Sequence, residues 1–165
     1  MESGKLFAIL GGILTLVGTY VFAVYGTAGV YAASGIGFIM NIPDLFTNAD
    51  VIATGLGTQV WLYYILLIVF IVFLAAGVLQ IIGMNSKVLS LIFALFPLAI
   101  GLMFIFLEYT DILGIKSLFF ALMFAGDHFA DFYPIIVNLG TLGLGVYLIL
   151  GGGALGFISV FLPRD

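Results

Sequence analysis

WLYYILLIVFIVFLAAGVLQII, residues Trp61 to Ile82, is an uncharged run in which Gln80 is the one strongly polar side chain. About 20 mostly apolar residues in a helix cross about 30 Å of hydrocarbon, and this run meets that length. A helix is the form it should take there, because lipid offers no partner to an unbonded backbone N–H or C=O. Immediately downstream the turn Asn85-Ser86-Lys87 leads into a second apolar run, Val88 to Leu107, which stops at Glu108-Tyr109-Thr110-Asp111. Upstream, Leu6 to Tyr25 follows Lys5, and near the other end Ile135 to Leu162 lies between Pro134 and Pro163.

The pattern predicts an all-α integral membrane protein. Its expected form is a single four-helix transmembrane bundle over residues 1–165, with spans at about 6–25, 61–82, 88–107 and 135–162. Lys5 ahead of an apolar run also suits a secretory signal. However, an apolar stretch of this length exceeds the roughly 7–15 residues of a signal core, so it is read as a true span.

Composition points the same way. The chain is 64% hydrophobic and 7% charged, whereas a water-soluble domain carries about 25% charged residues to clothe its surface. No cysteine is present, which excludes disulfides, thiolate metal sites and thiol redox chemistry. A net charge of −4 argues against nucleic acid, which calls for clustered Lys and Arg.

Lys5, Lys87 and Arg164 fall on one side of a four-span layout and only Lys116 on the other. Positive residues favour the cytoplasm, so both termini are expected inside, in the cell membrane. Tyr25, Tyr31, Trp61, Tyr63, Tyr64, Tyr109 and Tyr133 gather toward the opposite boundary, as an interfacial aromatic belt would. The outer segments, 26–60 and 108–133, are unusually apolar and are expected to hold short interfacial or re-entrant helices. Gly26 to Ile42 carries no charge and reads as re-entrant, interfacial or a cramped fifth span. Ile112 to Tyr133 reads as an amphipathic segment on the interface.

Small residues recur at helical spacing. Gly4, Ala8, Gly11, Thr15 and Gly18 share one face of the first span. Asn138, Gly145, Gly152 and Ser159 share one on the last, joined by Thr141 and Gly156, and Ser90, Ala94, Pro97, Gly101 and Glu108 share one on the third. Such faces let helix backbones approach closely in lipid. Gly4, Gly11, Gly18, Gly101, Gly145, Gly152 and Gly156 are therefore the expected helix-packing positions, within this chain or against another subunit.

Glu108, Asp111, Asp127, His128 and Asp131 form an expected acidic collar at the outer side, able to attract cations. Asp44 and Asp50 add to the same side. His128 and Asp131 lie three apart, but a lone histidine is thin support for a metal site, and none is expected. Gly151-Gly152-Gly153 lacks the following Lys of a phosphate loop. With one His and no Cys, general bases are few, so neither catalysis nor a cofactor is expected.

Inner termini, a long first outer segment, the tiny inner turn at Asn85-Ser86-Lys87 and a shorter second outer segment give a layout that resembles the claudin and tetraspanin style of four-span protein. The likeness is topological. Trp61 stands at the end of the first outer segment, but both cysteine patterns of those proteins are missing, so no functional residue carries over. The expected function is a non-catalytic membrane subunit or scaffold. Its expected partners are the lipid bilayer and either further copies of itself or other membrane subunits. A channel or transport subunit with an acidic mouth, and an accessory subunit of a redox complex, stand as alternatives.

Overall fold

The computed structural model describes residues 2–110, 123–126 and 133–164. Four helices form the body: α1 (Ser3–Tyr20), α4 (Val60–Ile82), α5 (Lys87–Tyr109) and α6 (Leu144–Ser159). Two short helices, α2 (Gly35–Thr47) and α3 (Ala49–Gly55), sit between α1 and α4. α1, α4 and α5 are long and apolar enough to cross a membrane. α6 has 16 residues, which at about 1.5 Å rise per residue reach about 24 Å.

The helices alternate in direction and close into a ring in the order α1, α4, α5, α6. α4 and α5 are joined by a single 3₁₀ turn, Gly83–Asn85, and Ser86 then caps α5 by accepting a hydrogen bond from the Leu89 N–H at 3.4 Å. Satisfying a free N–H at a helix start lets the turn be this short. Lys5, Lys87 and Arg164 stand at one end of the ring, the cationic end, and Trp61, Tyr64 and Tyr109 at the other, the aromatic end.

Three expectations are corrected at the aromatic end. The chain is not all-α, because 26–42 is not one helical segment. It begins with a hairpin of β1 (Tyr25–Thr27) and β2 (Tyr31–Ala33), extended to a three-stranded antiparallel sheet by β3 (Ala125–Gly126). Gly29 supplies the positive φ of the hairpin loop, a conformation that costs glycine nothing. Second, the run 135–162 is helical only from Leu144. Ile135 pairs with residues 21–23, and β4 (Asn138–Leu139) folds onto β5 (Leu142–Gly143) through a two-residue loop with Gly140 at φ 75°. Hydropathy does not separate buried extended chain from helix, so this boundary was hidden. Third, Tyr63 is not part of an aromatic belt. It is wholly buried and its hydroxyl donates to the Leu45 carbonyl at 3.0 Å.

The extended pieces satisfy one another. The Val24 N–H donates to Ala33 O, Gly143 to Val24, Ala23 to Ile135 and Ser34 to Phe124, all within 2.8–3.0 Å. Asn41 adds side-chain bonds to the carbonyls of Met123 (3.2 Å) and Ala125 (2.7 Å). Irregular backbone away from water needs this kind of internal pairing.

Met123 and Phe124 were expected on an interfacial segment. Both are instead wholly buried, Ala125 and Gly126 after them form β3, and 112–122 and 127–132 lie outside the described residues. The Phe124 ring stacks on Phe38 of α2 at 5.1 Å and meets Phe70 of α4 at 5.4 Å and Phe104 of α5 at 5.3 Å edge-on. Ring pairs at these separations add about 0.5–1.5 kcal/mol each beyond area burial. Phe124→Ala is expected to destabilise the fold by about 3–5 kcal/mol. Thermal unfolding in detergent checks this, with Phe46→Ala, an exposed ring, as the mild comparison.

Candidate functional site

The polar side chains that the bundle buries run along the contacts of its four helices. Arg164 lies at the cationic end with only 8% of its surface exposed. Its Nη2 donates to Ser159 Oγ at 2.6 Å, its Nε to the Ser159 carbonyl at 3.2 Å, and its Nη1 to the Met84 carbonyl at 3.1 Å. Ser159 Oγ and Ser90 Oγ share a hydrogen bond at 3.2 Å, which joins α6 to α5. The Gly4 N–H donates to the Pro163 carbonyl at 2.9 Å. Residues 160–164 thus act as a strap, holding the start of α1, the α4–α5 turn and the end of α6 together.

Burial pushes the Arg164 guanidinium below its usual pKa through desolvation. It still carries its charge at physiological pH. The end of α6 and the Met84 carbonyl face it with partial negative charge, a favourable position for a cation.

Further in, Gln80 is wholly buried. Its Nε2 makes long contacts to Thr15 Oγ1 (3.4 Å) and the Phe93 carbonyl (3.5 Å), so one amide touches α1 and α5. Its Oε1 has no conventional hydrogen-bond donor. It lies instead beside Gly11 and Gly156, where an added Cβ would come within 3.1 and 2.8 Å of it. The oxygen thus lies against the backbone of both glycines. The carboxamide fits because both neighbours lack a side chain.

The seven glycines singled out in the sequence lie along these same contacts. On the α1–α6 face, Gly4 meets Pro163, Gly11 meets Gly152 and Gly156, and Gly18 meets Gly145. A Cβ on Gly11 would lie 2.6 Å from the Gly152 carbonyl, and one on Gly18 would lie 2.7 Å from the Gly145 carbonyl. Gly101 meets Leu150 of α6. All seven are used inside the chain. Two glycines not singled out, Gly12 and Gly77, do the same for α1 and α4, where a Cβ on Gly12 would sit 2.6 Å from Gly77 O. Their signal was present, since Gly77 falls one turn before Gln80.

Of the expected acidic collar, Glu108 is half-buried near the end of α5. Asp111, Asp127, His128 and Asp131 lie outside the described residues, as does Lys116. Among the described residues no group of three or more His, Asp or Glu is placed to hold a metal ion. Hollows open on the surface among the described residues. One of about 320 Å³ is lined by Asn41, Asp44, Leu45, Asn48 and Ile52 on α2 and α3. Another, of about 300 Å³, is lined by apolar side chains of α4 and α5, among them Val69 and Phe96.

Gly152→Ala is expected to cost about 1–3 kcal/mol, because the new methyl meets Gly11 backbone that cannot turn aside. Gly151→Ala has open space and should be neutral or stabilising by up to about 1 kcal/mol. Thermal unfolding of the pair in one detergent checks the contrast. Arg164→Ala should lower stability by about 1–3 kcal/mol by leaving buried acceptors bare. Arg164→Lys should recover little, since one ammonium does not reproduce the planar fork.

No protein-family model, no curated protein and no solved structure matches the chain.

Proposed function

We propose that the chain is an integral membrane subunit without catalytic chemistry of its own, which assembles with further copies of itself or with other membrane proteins. The observation that carries this reading is an inverted distribution of polarity. Gln80, Ser90 and Ser159 are wholly buried, while Ile68 is 56% exposed, Val88 65% and Ile82 68%. Large apolar side chains also face outward on α1 at Leu10 and Ile13 and beyond α6 at Phe161. Monomeric soluble proteins rarely present apolar surface on this scale, whereas hydrocarbon is a matching medium for it.

In this reading α1, α4 and α5 cross the bilayer and α6 completes a fourth crossing with the residues on either side of it. Lys5, Lys87 and Arg164 at one end orient that end to the cytoplasm, which puts both termini inside. The glycine faces are already engaged between the chain's own helices, so a partner would meet the apolar outer faces of α4 and α5 or the aromatic end. Arg164, Gln80, Ser90 and Ser159 tie helix to helix, and in this reading their role is assembly of the bundle.

Extraction in a mild detergent, followed by native mass measurement and identification of co-purifying proteins, tests the proposal. A defined oligomer or a stable membrane partner is expected. A strictly monomeric particle with no partner would overturn the subunit reading. A chain that stays dispersed in plain buffer would overturn the membrane reading beneath it.

A further inference from the structure

We infer that α2 is a half-inserted helix whose Ile39–Met40 face lies against the acyl chains of the leaflet at the aromatic end. The inference rests on the membrane reading of α4 and goes beyond it, because it concerns a segment too short to span.

Depth along α4 carries the argument. The Tyr20 hydroxyl, at the end of α1, donates to the Leu74 carbonyl of α4 at 2.6 Å. α1 therefore ends well short of the aromatic end of α4, and the chain continues beside the remaining turns of α4. Gly35, the first residue of α2, packs on Thr19 and Tyr20. Phe38 then meets Phe70 at 5.9 Å, the Leu45 carbonyl accepts from the Tyr63 hydroxyl, and Phe46 stacks on Tyr64 at 6.0 Å. α2 thus climbs alongside α4 from Phe70 toward Tyr63. Phe70 lies nine residues beyond Trp61, about 13 Å further in at a helix rise of about 1.5 Å per residue. If Trp61 sits at the headgroups, as its exposed ring suits, then Phe38 and its neighbours lie within the hydrocarbon.

The surface of α2 fits that depth. Gly35, Gly37, Phe38 and Leu45 face the protein, while Ile39 and Met40 face outward, Met40 59% exposed. Asp44, Thr47 and Asn48, the polar exposed residues, come later, where α2 has risen to the level of Tyr63 and Tyr64. Polarity therefore rises along the helix in the direction of the water. The start of α2 is capped from within the protein. Ser34 Oγ accepts from the Gly37 N–H, and Asn41 binds carbonyls on the protein side. The lipid-facing row of α4, Tyr64, Ile65 and Ile68, continues onto this face through the Phe46–Tyr64 stack.

Tryptophan quenching in lipid vesicles tests the inference. Trp61 is the chain's one tryptophan, so Trp61→Phe gives a blank background for Met40→Trp, for Ile39→Trp as a second probe, and for Ile68→Trp on α4 as the reference. The vesicles are phosphatidylcholine brominated on the acyl chains, with iodide as the water-borne quencher. Bromine quenching of the Met40→Trp chain is expected to fall within about twofold of that of the Ile68→Trp chain, with iodide ineffective at both, because both sites sit inside the roughly 30 Å hydrocarbon layer. Strong iodide quenching at 39 and 40, with position 68 still quenched by bromine, would overturn the half-inserted helix while leaving the membrane reading intact. Shielding of 39 and 40 from both quenchers would overturn it by placing protein on that face. Loss of bromine quenching at 68 would overturn the membrane reading and this inference with it.

Discussion

The bundle depends on α1 and α6 lying so close that a single methyl group between them has no place to go. Gly11 and Gly18 of α1 meet Gly152 and Gly145 of α6 almost backbone to backbone. In the proposed membrane setting, expulsion of water does not drive helices together, and close approach of this kind takes over as the source of attraction. It also opens the niche for the Gln80 carboxamide, whose oxygen rests on Gly11 and Gly156. Small residues and a buried amide are therefore one device. Widening the gap would loosen the amide, and removing the amide would leave a void among four helices.

A second constraint, that every backbone group away from water must find a partner, explains the aromatic end. α1 stops at Tyr20, so the chain beside the rest of α4 has to be something other than a continuation of that helix. It is a patch of extended strands bonded to one another and packed on the start of α6, followed by α2, whose Phe38, Leu45 and Phe46 meet α4. Asn41 completes the pairing by serving two carbonyls that the strands leave over.

Much of this was legible in the sequence, for physical reasons. The runs around Ile68 and Ile100 are long and uncharged, and length with hydropathy is what hydrocarbon selects. The steps of three and four between Gly4, Gly11 and Gly18 define a face whatever it packs on. Extended chain at 21–26 and 135–143 was not legible, because a buried strand is as apolar as a buried helix. Gly29 and Gly140, each at a positive φ, were the available turn signals. Arg164 was read only as a charge that orients the chain. Its three bonds depend on Met84, far away in the sequence, and no local pattern announces them. Phe124 looked interfacial because its neighbours Asp127 and His128 are polar, while its burial depends on Phe38, Phe70 and Phe104 from three other helices.

The pairing of α1 with α6 has a consequence for the order of events during synthesis. The glycine face of α1 emerges first from the ribosome, but its complement, Gly145 to Gly156, emerges more than a hundred residues later. Contacts between segments so far apart are slow to form because the intervening chain must first be ordered. Through that interval the groove along α1 stands unfilled, and the bundle closes only when α6 and its strap arrive. Among the four helices, the earliest made is the one that waits longest for its place.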